Sequence, residues 1–322
     1  MVNLKYNVSK KELECKYARA LFSTKFGNGK SAKTVKKEFD NLKQTYPYNV
    51  IFYDVSFSEI VFVPPENLKC LINKIEQRII EQSSIKFNTN DDKKKFIYEA
   101  KEKLKDVFKY ENKFQKPISR FFENSLQTRT CYFCNIHFVN EYKVSEIEYK
   151  NEFTLDHYYD KGSYPYLALS IYNLIPSCYT CNSKLKKVEK IDLFPPNSES
   201  FDFDKKVKFK LYLDKSCNDL HVNSKEDIDI ELKEYYTNKY DKYVEVFKLN
   251  ERYKAHKDIV YEMIQKAELY PESRLKELEG LTGIPFSQIK KDIFNLIDEN
   301  EDLSKKPFSK LIKDLSKELG LV

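Results

Sequence analysis

The sequence predicts an α+β protein, and three observations carry that prediction. Apolar residues recur at helical spacing before about residue 125 and again after about residue 235. Between them, residues 126–200 exchange long stripes for cysteines, turns and short apolar runs. "FDFDKKVKFKLYLD" (201–214) then alternates with period two, and Ile228, Ile230 and Leu232 repeat the alternation. The chain therefore divides into a mainly helical region (1–125), a cysteine-bearing core (126–200) and antiparallel strands followed by helices (201–322).

In the first region Ser31 is the expected cap of a helix through "AKTVKKEFDNLKQTY". "YNVIFYDVSFSEIVFVPP" (48–65) is rich in β-branched and aromatic residues and predicts a strand or hairpin ended by Pro64 and Pro65. Leu68, Leu71, Ile72, Ile75 and Ile79 predict one helix, and Phe96, Ile97, Ala100, Leu104, Val107 and Phe108 predict another. "LFPPNSES" (193–200) reads as a linker into the two strands. Phe286, Ile289, Ile293, Leu296 and Ile297 form a later stripe, and Pro307 opens a last helix carrying Leu311, Ile312, Leu315 and Leu319.

Composition narrows the function classes. With 41% apolar and 33% charged residues in 322, the chain is globular rather than disordered. Six glycines leave little for a phosphate-cradling loop, and "FGNGKSAKT" (26–34) lacks the spacing of one, so it reads as turn chemistry. The net charge of +6, from 56 basic and 50 acidic residues, permits a nucleic-acid partner without requiring one. No apolar run reaches the roughly 18 residues a membrane span needs. "MVNLKYNVSKKELECKYARAL" has no apolar core of a signal peptide, so no membrane association and a cytoplasmic location are expected.

Four of seven cysteines form two C-x-x-C pairs, "CYFC" (Cys131, Cys134) and "CYTC" (Cys178, Cys181). Cys15, Cys70 and Cys217 stand alone, and the odd count argues against a disulfide framework. Two such knuckles complete a tetrahedral thiolate shell for a structural Zn²⁺. A redox motif would need a βαβ context that is missing, and two unrelated surface pairs would be coincidence. The 43 residues between the knuckles exceed a simple zinc ribbon, so a folded insert must lie there.

That insert holds Asp156 and His157 in "FTLDHYY" and Asn173 in "YNLIPSC", and Asn182 directly follows Cys181. If "FTLDH" ends a strand, its adjacent side chains face opposite ways, one toward a metal and one toward a reacting water. "YNLIPSC" would return as the second strand, with Asn182 on the first turn of a helix, "NSKLKK". His137, with four cysteines nearby, reads as a packing or surface residue. Tyr158, Tyr159, Tyr164 and Tyr166 read mainly as hairpin packing rather than base stacking, and help from Asp160 to a catalytic metal is the minor reading of that residue.

On "CYFC", "LDH", "NLIPSC" and "CN", in that order, residues 131–187 resemble an HNH endonuclease domain. This is the ββα-metal fold, in the variety braced by a four-cysteine zinc. The resemblance implies that Asp156 ligates a catalytic ion, that His157 is the general base, and that Asn173 orients the histidine-bearing loop. It implies Asn182 as the second metal ligand, where the family often has histidine. A carboxylate with an amide oxygen favours Mg²⁺ or Mn²⁺. The family's lysine three residues after that ligand is Leu185 here, and Lys184, Lys186 and Lys187 are the expected phosphate contacts. The implied activity is hydrolysis of DNA phosphodiester bonds. A chain of this size resembles bacterial anti-phage HNH effectors (the Septu-like and retron-linked kinds), some of which work beside an ATPase or another defence-system protein. A zinc-braced nucleic-acid-binding module without catalysis, and a protein-interaction domain with a structural zinc, explain the cysteines as well. They do not explain Asp156, His157, Asn173 and Asn182.

Overall fold

Caps and apolar stripes set the helices of the first region. The computed structural model describes residues 2–4, 6, 8–23, 25–26, 33–108, 110–126, 129–145, 149–191, 193–213 and 222–322. Helix α1 (Lys10–Phe22) starts where the Ser9 hydroxyl accepts the Glu12 N–H. The two-residue strands β1 (Lys25–Phe26) and β2 (Lys33–Thr34) pair antiparallel. Ser31 lies outside the described residues; the cap observed on α2 (Val35–Lys43) is Thr34, which accepts from Lys37 N–H. Cys217 also lies outside them.

The expected strand at 48–65 is two short helices, α3 (Tyr48–Ile51) and α4 (Phe57–Val61). The buried positions explain the correction. Tyr48, Ile51, Phe52 and Val55 are spaced for a helix, as are Phe57, Ile60 and Val61. Ser56 and Glu59 close a reciprocal capping box on α4, a local signal that outweighs β-rich composition. The predicted stripes at 68–79 and 96–108 are α5 (Leu68–Lys86) and α6 (Asn90–Phe108), which pack on each other. A π-helical turn, Tyr110–Phe114, leads into α7 (Gln115–Leu126), which lies on α1.

The middle region contributes two antiparallel pairs, β3 (Glu141–Lys143) with β4 (Tyr149–Asn151), and β5 (Thr154–His157) with β6 (Leu174–Ser177). A π-helical segment, Thr180–Lys186, follows. The "LFPPNSES" stretch packs rather than links: Pro195, Pro196 and Ser198 are buried, and Pro196 O accepts the Leu4 N–H at 2.9 Å. Beyond it the first residues of the alternating run form a single helical turn, α8 (Phe203–Lys206). The alternation becomes a strand only in β7 (Val207–Leu213), which pairs antiparallel with β8 (Ile228–Glu234). Six helices complete the chain: α9 (Asp241–Val246), α10 (Leu249–Lys254), α11 (Lys257–Leu269), α12 (Glu272–Thr282), α13 (Phe286–Phe294) and α14 (Ser309–Glu318). Leu311 and Leu315, on the predicted last stripe, are fully buried. Helices and small two-stranded sheets make the molecule α+β. No described helix is long and apolar enough to cross a membrane.

One apolar core runs from Val2 to Leu315, so residues of all three regions share it. A second cluster, around Met263, Leu275 and Phe294, closes the far helices. A buried asparagine ties the first cysteine knuckle to the last region. Asn135 Nδ2 donates to Thr130 Oγ1, Leu303 O and Lys306 O, while its Oδ1 accepts from Ser309 Oγ and Lys310 N, all at 3.0–3.1 Å. Its φ of 55° is one that asparagine tolerates better than most residues. Asn135→Ala orphans several buried groups at once and is expected to destabilise the protein by about 3–5 kcal/mol, read as a shift of the denaturant midpoint.

Candidate active site

The two C-x-x-C pairs meet. The four sulfurs of Cys131, Cys134, Cys178 and Cys181 lie within 4.8 Å of one another, and all four residues are buried. Cys134 Sγ and Cys178 Sγ are 4.0 Å apart, far outside bonding distance. A tetrahedral ion with Zn–S bonds of about 2.3 Å holds its sulfurs about 3.8 Å apart, so the cluster fits a structural zinc. Burial pushes the Cys131 and Cys181 thiols well above their ordinary value, so the cluster needs a cation to ionise fully. Backbone amides point at the sulfurs: Ile136 N–H to Cys134 Sγ at 3.5 Å and Cys181 N–H to Cys178 Sγ at 3.4 Å. Arg252, on α10, reaches Cys181 Sγ with Nη1 at 3.3 Å and places a cation beside the thiolates. Cys15 and Cys70 are exposed and unbridged.

The second knuckle follows β6 directly, so the cluster anchors the β5–β6 hairpin at its open end. Asp156 pairs with Ile175 and His157 with Leu174. His157 ends its strand buried, with Nε2 donating to Ala168 O at 3.0 Å. That bond places the ring proton on Nε2 and makes Nδ1 the basic nitrogen. Burial pushes the imidazole down to about 3, so the ring is neutral near pH 7.

Asn173 closes a short 3₁₀ turn, Ile171–Asn173, immediately before β6, one position earlier than a strand residue. Its carboxamide clasps the loop after His157. Oδ1 accepts the Tyr159 N–H at 2.8 Å, and Nδ2 donates to Tyr159 O at 3.0 Å and Leu167 O at 3.3 Å. Asn173→Ala removes this clasp at a fully buried site and is expected to cost about 2–4 kcal/mol. Hydrogen exchange at the Tyr159 amide should accelerate, and unchanged protection there would count against the clasp. Around the same loop Tyr158, Tyr159, Tyr164 and Tyr166 stack edge to face in sequence. Tyr158 and Tyr166 are buried, and the latter donates to Glu76 Oε1 at 3.2 Å. Asp160 accepts the Ser163 N–H at 2.7 Å and so turns its own loop. His137 is exposed.

Asp156, His157 and Asn182 line one open cleft of about 600 Å³, with Asp160, Lys161 and Lys187 also on it. Asn182 Nδ2 donates to Thr154 Oγ1 at 2.9 Å, which leaves its Oδ1 as an acceptor. Thr154 and Asp156 share a face of β5, two residues apart. The three lysines expected on the surface divide. Lys184 and Lys187 are exposed, and Lys187 is held at φ 48° with its N–H donated to Asn182 O at 2.9 Å. Lys186 is a correction: it is about 1% exposed, and its Nζ lies 3.0 Å from Asp156 Oδ2, 3.2 Å from Oδ1 and 3.1 Å from His157 O. A buried carboxylate demands a counter-charge, and the lysine one turn beyond Asn182 supplies it. Burial still holds the Asp156 carboxyl above its ordinary value, against the pull of Lys186.

A hard divalent ion fits these donors. Asp156 offers a carboxylate, its Oδ2 ion-paired to Lys186 at 3.0 Å, and Asn182 offers a neutral oxygen on the same cleft. The chain matches no family model, no curated protein and no solved structure. Several cleft residues escape the sequence. Thr154 was findable from the period-two alternation that puts it on the Asp156 face. Lys161, paired with Glu111 at 2.6 Å, and Gln115 carry no local signal, because the π turn and α7 bring the cleft's far wall from a distant segment.

Proposed function

We propose that this chain is a metal-dependent endonuclease of the HNH kind that hydrolyses DNA phosphodiester bonds. One observation carries the reading: a carboxylate, a histidine and an asparagine line a single cleft on a strand–strand–helix unit whose base is a four-cysteine cluster. A zinc at that cluster is structural, since protein sulfur fills every position. Asp156 and Asn182 would hold the catalytic ion, and Mg²⁺ or Mn²⁺ bound there would supply charge stabilisation at the phosphate and the leaving O3′. His157, neutral and fixed by Ala168 O, takes the proton of the attacking water on Nδ1. Asn173 holds the loop that carries this ring in place. Lys187 and Lys161 at the cleft, with exposed Lys184 nearby, draw in the phosphate backbone.

The role that fits such a chain is an effector in bacterial anti-phage defence, regulated by a partner such as an ATPase. The test is nicking of supercoiled plasmid by the purified chain with Mg²⁺ or Mn²⁺, with Asp156→Asn alongside. Metal-dependent nicking by the wild type, absent from the variant, is expected, and slow turnover without a partner agrees with regulation. Retarded migration of DNA with no nicking under any divalent ion would leave a zinc-braced binding module and remove the catalytic reading.

A further inference from the structure

We infer that Lys186 is the resident counter-ion of Asp156, and that a divalent cation enters the site by displacing its ammonium. The inference rests on the reading of Asp156 as a metal ligand. Both side chains are almost completely buried, and the ammonium lies within 3.2 Å of both carboxylate oxygens. His157 O at 3.1 Å and the face of the Tyr158 ring, its centroid 5.8 Å away, complete its surroundings. Within this buried pair one negative charge is balanced by one positive charge. Adding a dication while the ammonium stays would crowd three positive charges onto the Asp156 carboxylate, because the cleft's other acidic groups, Asp160 and Glu111, are turned to the Ser163 N–H and to Lys161. Coulomb repulsion at a range of a few ångströms disfavours holding both cations on one carboxylate. The lysine's position allows the exchange. It is the last residue of the π-helical segment, on a flexible stem, and the next residue already lines the open cleft. Once released toward the cleft, the ammonium meets the phosphates that the same cleft is read to bind. Metal and nucleic acid therefore reinforce each other's binding.

The exchange makes Lys186 a competitor of the metal, and this is measurable without any cleavage assay. Mn²⁺ is titrated into the zinc-loaded full chain, with free Mn²⁺ followed by electron paramagnetic resonance and thermal melts taken in parallel. Wild type is compared with Lys186→Met, Lys186→Gln and Asp156→Asn. The two lysine variants are expected to bind Mn²⁺ at least about tenfold more tightly than wild type, because no ammonium has to leave. They should also melt lower without Mn²⁺ and gain more from it. The glutamine variant keeps a donor for Asp156 and His157 O, so it carries the test if the methionine variant does not fold. Unchanged or weaker Mn²⁺ binding in the folded lysine variants, with Asp156→Asn still abolishing it, would overturn the exchange and leave Asp156 as a ligand. Wild-type Mn²⁺ binding by Asp156→Asn would remove the ligand assignment, and the exchange with it.

Discussion

Stripping an ion from the four cysteines is expected to unfold the centre of the molecule and the β5–β6 hairpin with it. Four-cysteine zinc contributes on the order of 10 kcal/mol of apparent binding free energy in small domains. Whole proteins are stable by only about 5–15 kcal/mol, so the ion's loss is comparable to the entire margin. The coupling is visible in what the knuckles hold. The first knuckle's backbone accepts hydrogen bonds from Tyr253 Oη at Cys134 O, 2.6 Å, and from Val2 N at Tyr132 O, 3.2 Å. Phe308 N donates to Asn135 O at 2.7 Å. The N-terminal residues, α10 and the start of α14 all lean on this one turn. The second knuckle fixes the end of β6 and the start of the segment that carries Asn182 and Lys186. Elemental analysis is expected to find one zinc per chain. A strong chelator or Cys181→Ser should abolish the cooperative melt, while the exposed Cys70→Ser stays within about 0.5 kcal/mol of wild type. A melt that survives complete removal of zinc would show that the sulfurs meet for another reason.

The same cluster shows what the sequence could and could not disclose. The two C-x-x-C pairs announce their meeting because each places two sulfurs within a few residues, and convergence follows from chemistry alone. That Asp156, His157 and Asn182 share one cleft is suggested for a similar reason: Asp156 and His157 lie between those pairs and Asn182 directly follows the second. Arg252 is not legible, because α10 reaches Cys181 from 71 residues away and nothing around it marks the contact. Lys186 was misread by a different route. Lysine in a charged run is normally a solvated residue, but here the burial of Asp156 reverses the expectation, and burial is a property of the assembled fold. Helices with clean stripes, such as α5 and α6, are readable at once. The 48–65 stretch misleads because its residue types favour strands while its spacing and its Ser56–Glu59 box favour helices, and the spacing decides.

The buried Asp156–Lys186 pair also bears on regulation. A site that balances its own charge is stable without metal and has little electrostatic pull on a passing cation. On the proposed reading, a nuclease whose metal-binding carboxylate is already neutralised would stay quiet until something shifts that balance. A partner or a nucleic acid that draws the ammonium into the cleft would raise metal affinity at the same moment. Regulation of this kind needs no large motion, only the swing of one side chain from the last residue of the π-helical segment.

His157→Ala is the second change with a large expected effect, and it should lower nicking by on the order of 10²–10⁴-fold, the usual contribution of a positioned general base. The ring's surroundings explain both the size and the sign. Its proton sits on Nε2, given to Ala168 O, so the basic nitrogen is Nδ1 and no deprotonation has to precede the reaction. Burial holds the imidazole down at about 3, where it would be a weak base. A phosphodiester entering the cleft brings negative charge, which stabilises the imidazolium and raises that value toward a useful range. On the proposed reading the substrate's negative charge would strengthen the base, against the opposing charge of the bound dication. Alanine also leaves Ala168 O without its donor, at a cost of about 1–3 kcal/mol, so thermal melts must accompany the kinetics. Added imidazole separates the two effects: it can enter the vacated space from the cleft and restore part of the nicking rate, whereas a purely structural lesion would not respond. Wild-type cleavage by the alanine variant, or a folded variant that is inactive and unmoved by imidazole, would take His157 out of the chemistry.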